Sequence, residues 1–254
     1  MKIRVLGCYG SQLPDFHTTS FLINRSLLLD AGSVTSILSV DEQNEINTIL
    51  ITHSHLDHIK DIVFIADNII EKNNTSIKVL GVQETITDIK LHLLNNKLWP
   101  DFTSLPSVEQ PALRIESIKK KENFYVNGLT VKAIGVNHSV EAVGYIIQDG
   151  KSSILYTGDT GPTDEIWEEA NRLSNLEAII VETSFPDHMF SLAKISGHLT
   201  PSILKDQLNK LDDYNLPILI FHMKPQHLDE IKSDMERLKN KNINILKQGD
   251  VFEV

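Results

Sequence analysis

Apolar positions in the first half of the chain fall in short runs of strand length, broken by polar or glycine-containing segments. Lys2–Leu6, Ser20–Ile23 and Ser26–Leu29 predict adjacent, mostly antiparallel strands, with Ser11–Asp15 as one of the breaks. Thr48–Thr52 is a continuous apolar strand that runs into the polar burst His53–His58. Ile59, Ile62, Val63, Ala66, Ile69 and Ile70 then recur at helical spacing, so the pattern is strand, polar loop, helix. Ile77–Leu80 predicts a strand, Glu84–Leu94 a helix and Asn95–Gln110 an irregular stretch. More strands follow at Leu113–Ser117, Leu129–Gly135, Val143–Gln148 and Ser153–Tyr156. In the last third, helices at Asp164–Leu173, Pro201–Leu211 and Leu228–Leu238 alternate with strands at Ala178–Val181 and Pro217–Phe221. Ile243–Leu246 and Val251–Phe252 are short closing strands. This order fits two halves, each a β-layer covered by helices: an α/β chain folded as a four-layer αββα sandwich, with ligands at strand ends along one edge. No repeat or low-complexity tract interrupts it, and residues 1–254 read as one domain.

Composition narrows the setting. The 254 residues are 41% hydrophobic and 23% charged, enough for a large core. The lone cysteine, Cys8, excludes an internal disulfide and a cysteine-cluster zinc module, and favours a reducing compartment. At the end of the first strand it reads as a small buried hydrophobe, with nothing nearby to activate it. The first ten residues are too broken for a signal-peptide core, and no apolar run approaches membrane-span length. The expectation is a soluble, cytoplasmic protein with no membrane partner. A net charge of -10 disfavours a polynucleotide partner. Lys119–Lys121, before the Asn127–Gly128 turn, reads as a solvated hairpin face.

The histidines change the picture. His53, His55, Asp57 and His58 stand as H-S-H-L-D-H directly after a buried strand, where extended residues two apart project to the same side. Asp57 could cap the helix that follows, but a cap does not need three imidazoles beside it. His138, Asp159 and His222 follow predicted strands farther along. Each has an ordinary explanation alone, as a hydrogen-bonded edge histidine or a capping aspartate. Repeated at strand exits, they complete a set of five His and two Asp suited to two Zn²⁺ ions. His53, His55 and His138 form the expected first site, Asp57, His58 and His222 the second, with Asp159 bridging. About four positive charges from two divalent ions, against two aspartates and a hydroxide, leave a pocket that favours an anionic substrate such as a phosphodiester.

These residues resemble the metallo-β-lactamase superfamily over nearly the whole chain. H-x-H-x-D-H is followed in order by V-N-H-S at His138, Y-T-G-D-T at Asp159 and I-F-H-M-K-P at His222. Within it, V-L-G-C-Y-G, L-L-L-D-A-G-S-V, N-N-K-L-W-P-D-F, V-E-T-S-F, S-G-H-L-T-P and H-M-K-P resemble the class II cyclic-nucleotide phosphodiesterases. W-P-D-F and G-H-L-T-P discriminate best. The resemblance implies a metallo-β-lactamase-like αββα sandwich and a dinuclear centre, with zinc expected and manganese or iron as alternative ions. It also implies hydrolysis of 3′,5′-cyclic nucleotides, cAMP or cGMP, to nucleoside 5′-monophosphates. The transfer-RNA 3′-processing ribonuclease has similar motifs but grips RNA with a basic, glycine-rich arm. Between His58 and His138 this chain has only Gly81, Gly128 and Gly135. A sensor that holds a cyclic nucleotide without cleaving it is the reading from another class.

The reaction also needs a proton for the leaving alkoxide. His198, in G-H-L-T-P, is the candidate acid and Glu182 the group that orients it, where the related phosphodiesterases place their pair. Asp57 is counted among the catalytic groups as well as the ligands. Trp99 and Phe102 are candidates for a wall on which a base stacks, or else core packing of an irregular loop. Lys224 is a candidate contact to a phosphate oxygen, and His188, in the Phe185–Phe190 loop, a candidate pocket residue. Thr200 reads as a helix cap and His92 as a partly buried structural histidine. Asn95–Gln110 is the candidate for reaching across a homodimer interface.

Overall fold

A computed structural model of the chain describes residues 1–70, 76–212 and 215–254. The first sheet contains β1 (Lys2–Gly7), β2 (Ser20–Ile23), β3 (Leu27–Leu29), β4 (Thr48–Leu50), β5 (Ile77–Gly81) and β6 (Leu113–Ser117). The second contains β7 (Asn123–Val126), β8 (Leu129–Val136), β9 (Ala142–Gln148), β10 (Ser153–Tyr156), β11 (Leu176–Glu182), β12 (Ile218–Phe221) and β13 (Ile243–Ile245). The last strand, β14 (Val251–Glu253), returns to the first sheet beside β1. Beyond β14, each sheet runs in sequence order from one of its edges to the other, and both change character partway: β1–β2–β3 pair antiparallel and β3 to β6 parallel, while β7 to β10 pair antiparallel and β10 to β13 parallel.

Period-two alternation sends neighbouring residues to different layers. Leu27 and Leu29 join the cluster between the sheets, whereas Leu28 faces outward. Ala178 and Ile180 of β11 likewise face the interlayer, and Ile179 and Val181 the outer helices. Helix Asp61–Ile69 covers the first sheet through Ile62, Val63, Ile65, Ala66 and Ile69. Helices Glu165–Asn171, Pro201–Leu208 and Leu228–Arg237 cover the second through residues such as Trp167, Leu204 and Ile231. These are the four layers of the expected αββα sandwich. Two hydroxyls cross the apolar interlayer: Tyr145 donates to the Ile51 carbonyl at 2.7 Å, and Tyr156 to Asp30 Oδ2 at 2.6 Å. No helix among the described residues is long and apolar enough to cross a membrane.

Three local differences from the sequence reading have physical causes. β7 is not foreseen because it is an edge strand with only Val126 buried and Tyr125 81% exposed, so its pattern carries little alternation. Helix Phe190–Ser196 is missed because Ala193 is its one buried residue, while Phe190, Leu192 and Ile195 face outward. The expected helix Glu84–Leu94 begins as Gln83–Asp88 and widens into a π-helical turn at Ile89–Leu93, which turns His92 into solvent instead of partly burying it. Cys8 is buried as expected, and burial pushes its thiol up to about 12. Thr200 does cap the helix Pro201–Leu208, its side chain accepting from the Ile203 N–H at 3.4 Å.

Candidate metal centre

Every predicted ligand stands at a strand exit on one edge of the sandwich. Two residues beyond β4, Thr52 donates its N–H to Asp30 Oδ1 at 2.8 Å, and this turns the chain so that His53 lies fully buried. His55, Asp57 and His58 follow around the first turn of a short helix, Leu56–Ile59. His138 lies beyond β8, Asp159 beyond β10 and His222 beyond β12. The metal-ligand loop packs tightly on the loop after β3: a Cβ added at Gly32 would lie 1.9 Å from the Asp57 carbonyl oxygen. Gly32→Ala is therefore expected to destabilise the protein by about 3 kcal/mol, seen as a lower urea midpoint, because backbone must move to admit one methyl.

The donor atoms gather as the sequence predicts. His53, His55 and His138 form one group, Asp57, His58 and His222 another, each with ligand atoms within 4.8 Å of one another. Asp159 Oδ2 stands between them, 3.9 Å from His53 Nε2, 3.3 Å from His58 Nε2 and 3.1 Å from His222 Nε2. Behind the donors, the outer nitrogens of four of the five histidines have partners: His53 Nδ1 meets Thr52 Oγ1 at 3.0 Å, His58 Nδ1 meets Asp30 Oδ2 at 2.9 Å, His138 Nδ1 meets the Gly197 carbonyl at 2.8 Å, and His222 Nδ1 meets Ser184 Oγ at 2.8 Å. Partners of this kind fix the tautomer that leaves the inner nitrogen as a lone pair.

The result is a pocket of acceptors facing acceptors. His58 Nε2 and His222 Nε2 are 3.3 Å apart, His222 Nε2 is 3.3 Å from Asp57 Oδ2, and the buried His53 Nε2 and Asp159 Oδ1 have no hydrogen-bond partner among the described residues. Lone pairs and carboxylates crowded this way repel unless cations stand among them, so the set fits divalent metal ions. Burial, followed by neighbouring imidazoles, pushes His53 well below its ordinary pKa, and burial leads the downward shifts of His55 and His138. Neutral imidazole is the ligating form, and at His58, where burial works downward but Asp159, Asp30 and Asp57 outweigh it and push the pKa well above its ordinary value, a bound ion would replace a proton. At Asp159 and Asp57 burial works upward, but the imidazoles outweigh it and keep both carboxylates well below the usual range.

The acid pair stands against this cluster. His198 Nδ1 is 2.6 Å from Glu182 Oε1, and the His198 ring lies 5.3 Å from His222 and 5.0 Å from His138 between centroids. Burial alone would lower its pKa, but Glu182 and then Asp159 outweigh it and favour the imidazolium. The left-handed Gly197 (φ 70°) lets the chain pass close under His138, since a Cβ there would lie 2.9 Å from the His138 Cα. Lys224 Nζ donates to the Gly10 carbonyl and sits 5.8 Å from the centroid of Phe185, whose ring is 5.7 Å from His198. His188 is exposed, its Nε2 4.0 Å from Glu230 Oε2. The stacking wall needs correction at Phe102, which is fully buried in the outer cluster of the first sheet and has no face to offer a base. Trp99 is half-buried against the same cluster, edge-on to Phe64, in the packing role.

Sequence reasoning missed the residues that hold the ligands. Asp30, fully buried with φ 55°, accepts from the Thr52 N–H, the Thr52 hydroxyl and the Tyr156 hydroxyl, and faces His58. Its signal is present in L-L-L-D-A-G, a carboxylate ending an apolar strand just as H-x-H-x-D-H does. Ser184 lies in V-E-T-S-F, a segment of the resemblance that gives its hydroxyl no role, and Thr52 carries no such signal.

With the geometry in place, the comparisons are consistent. The family model of the class-II cAMP phosphodiesterases matches residues 34–248. A 3′,5′-cyclic-nucleotide phosphodiesterase of Aliivibrio fischeri is 24% identical over 316 residues, covering 98% of this chain and 91% of that protein. The crystal structure of unliganded yeast PDE1 superposes with a TM-score of 0.82 at 20% identity, covering 98% of both chains. A metallo-β-lactamase fold protein of Bacillus subtilis superposes with a TM-score of 0.80 at 21% identity, covering 99% of both. The sandwich is thus the metallo-β-lactamase fold.

Proposed function

The chain belongs to the class-II cAMP phosphodiesterase family, and from that premise we propose that it hydrolyses 3′,5′-cyclic nucleotides, cAMP or cGMP, to nucleoside 5′-monophosphates. Two Zn²⁺ ions are the proposed cofactors, one held by His53, His55 and His138, the other by Asp57, His58 and His222, with Asp159 shared. When bound, such ions lower the pKa of water and neutralise phosphoryl oxygens. The rest falls to this chain's side chains. The oxygen of water attacks phosphorus, the bond from phosphorus to the 3′ oxygen breaks, and the departing oxygen needs a proton. His198 has Nδ1 engaged by Glu182, which leaves Nε2 to deliver it. Asp57 stays ionised beside His222 and His58, so it contributes charge and position to the nucleophile's side of the site.

The observation that carries this reading is the juxtaposition of the His and Asp donor cluster with an imidazole whose Nδ1 lies 2.6 Å from a buried carboxylate. The zinc-loaded protein is expected to convert cyclic AMP or cyclic GMP to the 5′-monophosphate, followed by chromatography. His198→Ala should lower kcat by roughly 10²–10⁴-fold while metal content stays at the wild-type level. Survival of both nucleotides with a protein holding two ions would sink the substrate assignment and move the search to RNA 3′ ends. Equal turnover by the variant would sink the acid assignment alone.

A further inference from the structure

Ser184 belongs neither to the donor set nor to the acid pair, yet it touches both. Its fully buried hydroxyl donates to Glu182 Oε2 at 2.8 Å, and its oxygen lies 2.8 Å from His222 Nδ1 and 3.2 Å from His198 Nδ1. A hydroxyl has one proton and two acceptor lone pairs. With the proton given to the carboxylate, the lone pairs face the two imidazoles, and His222 must carry its hydrogen on Nδ1. That leaves His222 Nε2 bare where it meets Asp159 Oδ2 at 3.1 Å and Asp57 Oδ2 at 3.3 Å. Glu182 Oε1 meanwhile faces His198 Nδ1, so one carboxylate orients the acid with one oxygen and, through Ser184, the ligand with the other.

The main chain holds Ser184 in this place from both sides. Its N–H donates to the carbonyl of Leu199, the neighbour of His198, at 3.1 Å, and its carbonyl accepts from Lys224, two residues after His222, at 3.2 Å. The Thr183 N–H donates to Phe221, the residue before His222, at 3.0 Å. Two strand exits and the loop between helices Phe190–Ser196 and Pro201–Leu208 are therefore stitched together at the residue whose hydroxyl links their side chains. His222 itself sits at φ 65°, outside the comfortable range for a residue with a Cβ, so its ring direction depends on what grips it.

We propose that Ser184 is a positioning residue that fixes the tautomer of His222 and couples the metal position at His222 to the Glu182–His198 acid pair. The inference rests on the metal-centre reading of the site. In the Zn²⁺-loaded protein, ¹⁵N spectra of the imidazoles should show His222 with its hydrogen on Nδ1 and none on Nε2, and Ser184→Ala should move part of it away from that form. In competition with a chromophoric chelator, Ser184→Ala should bind one of two Zn²⁺ ions roughly 10–100-fold more weakly and the other as the wild type does. Loss of kcat with little change in KM should accompany this, and Ser184→Thr, which keeps the hydroxyl, should restore all three. An unchanged tautomer, or wild-type affinity for both ions in Ser184→Ala, would overturn the proposal. Neither the spectra nor the titration uses a nucleotide, so failure of the substrate assignment leaves this test standing; a wild-type chain that takes up no ions would overturn both the inference and the centre it rests on.

Discussion

Asp159→Ala is expected to abolish phosphodiester hydrolysis, by on the order of 10³-fold or more in kcat, and to lower bound metal together with it. Asp159 stands between the two groups of ligands: its Oδ2 approaches His53, His58 and His222 within 3.9 Å, and its Oδ1 is buried without a hydrogen-bond partner among the described residues. Removal takes away a buried negative charge shared by the two groups, leaving Asp57 and Asp30 as the carboxylates beside the remaining imidazoles. Metal analysis beside the assay separates this loss from that at His198, where turnover should fall at constant metal. Wild-type turnover, or full metal content in Asp159→Ala, contradicts the shared-ligand role.

The second large effect is on stability. Asp30→Ala is expected to cost about 4 kcal/mol, because the Thr52 N–H, the Tyr156 hydroxyl and the ring N–H of His58 lose their buried acceptor together. Part of that cost is backbone, since φ 55° at position 30 suits Asp or Asn better than Ala. Asp30→Asn keeps the backbone preference and the volume but not the full acceptor capacity, and is expected to cost about half as much. Urea midpoints of the two variants measure both effects. A midpoint for Asp30→Ala equal to that of the wild type contradicts the account.

What the sequence made legible follows from what each residue does. The proposed ligands were legible because metal binding restricts residue type and because strand exits recur along the chain, and His53, His55, Asp57, His58, His138, Asp159 and His222 come together in space. The strands were legible for a similar reason, since residues such as Leu27, Leu28 and Leu29 are buried on both faces and read as continuous apolar runs. The roles of Ser184, although it lies in V-E-T-S-F, and of Thr52 were illegible because a hydroxyl serves many ends, and only three-dimensional proximity gives it a role. Phe102 misled because an aromatic in an irregular loop has the same composition whether it lines a pocket or plugs a core. Helix Phe190–Ser196 was hidden by having almost no buried stripe, although its C-terminal Gly197 supplies the carbonyl that orients His138.

The two tyrosine hydroxyls that cross the interlayer bear on how still the centre can be held. Methyl and aromatic surfaces set the spacing of two sheets but resist lateral slip weakly, because dispersion has little directionality. His53, His55, Asp57 and His58 ride on the first sheet; His138, Asp159 and His222 ride on the second. Any glide of one layer over the other would appear undiminished as misalignment between them. Tyr145 on Ile51 and Tyr156 on Asp30 oppose that shear with short, directional bonds beside the place where alignment matters. Their function is that of dowels, converting a greasy contact between plates into a jig with a fixed offset.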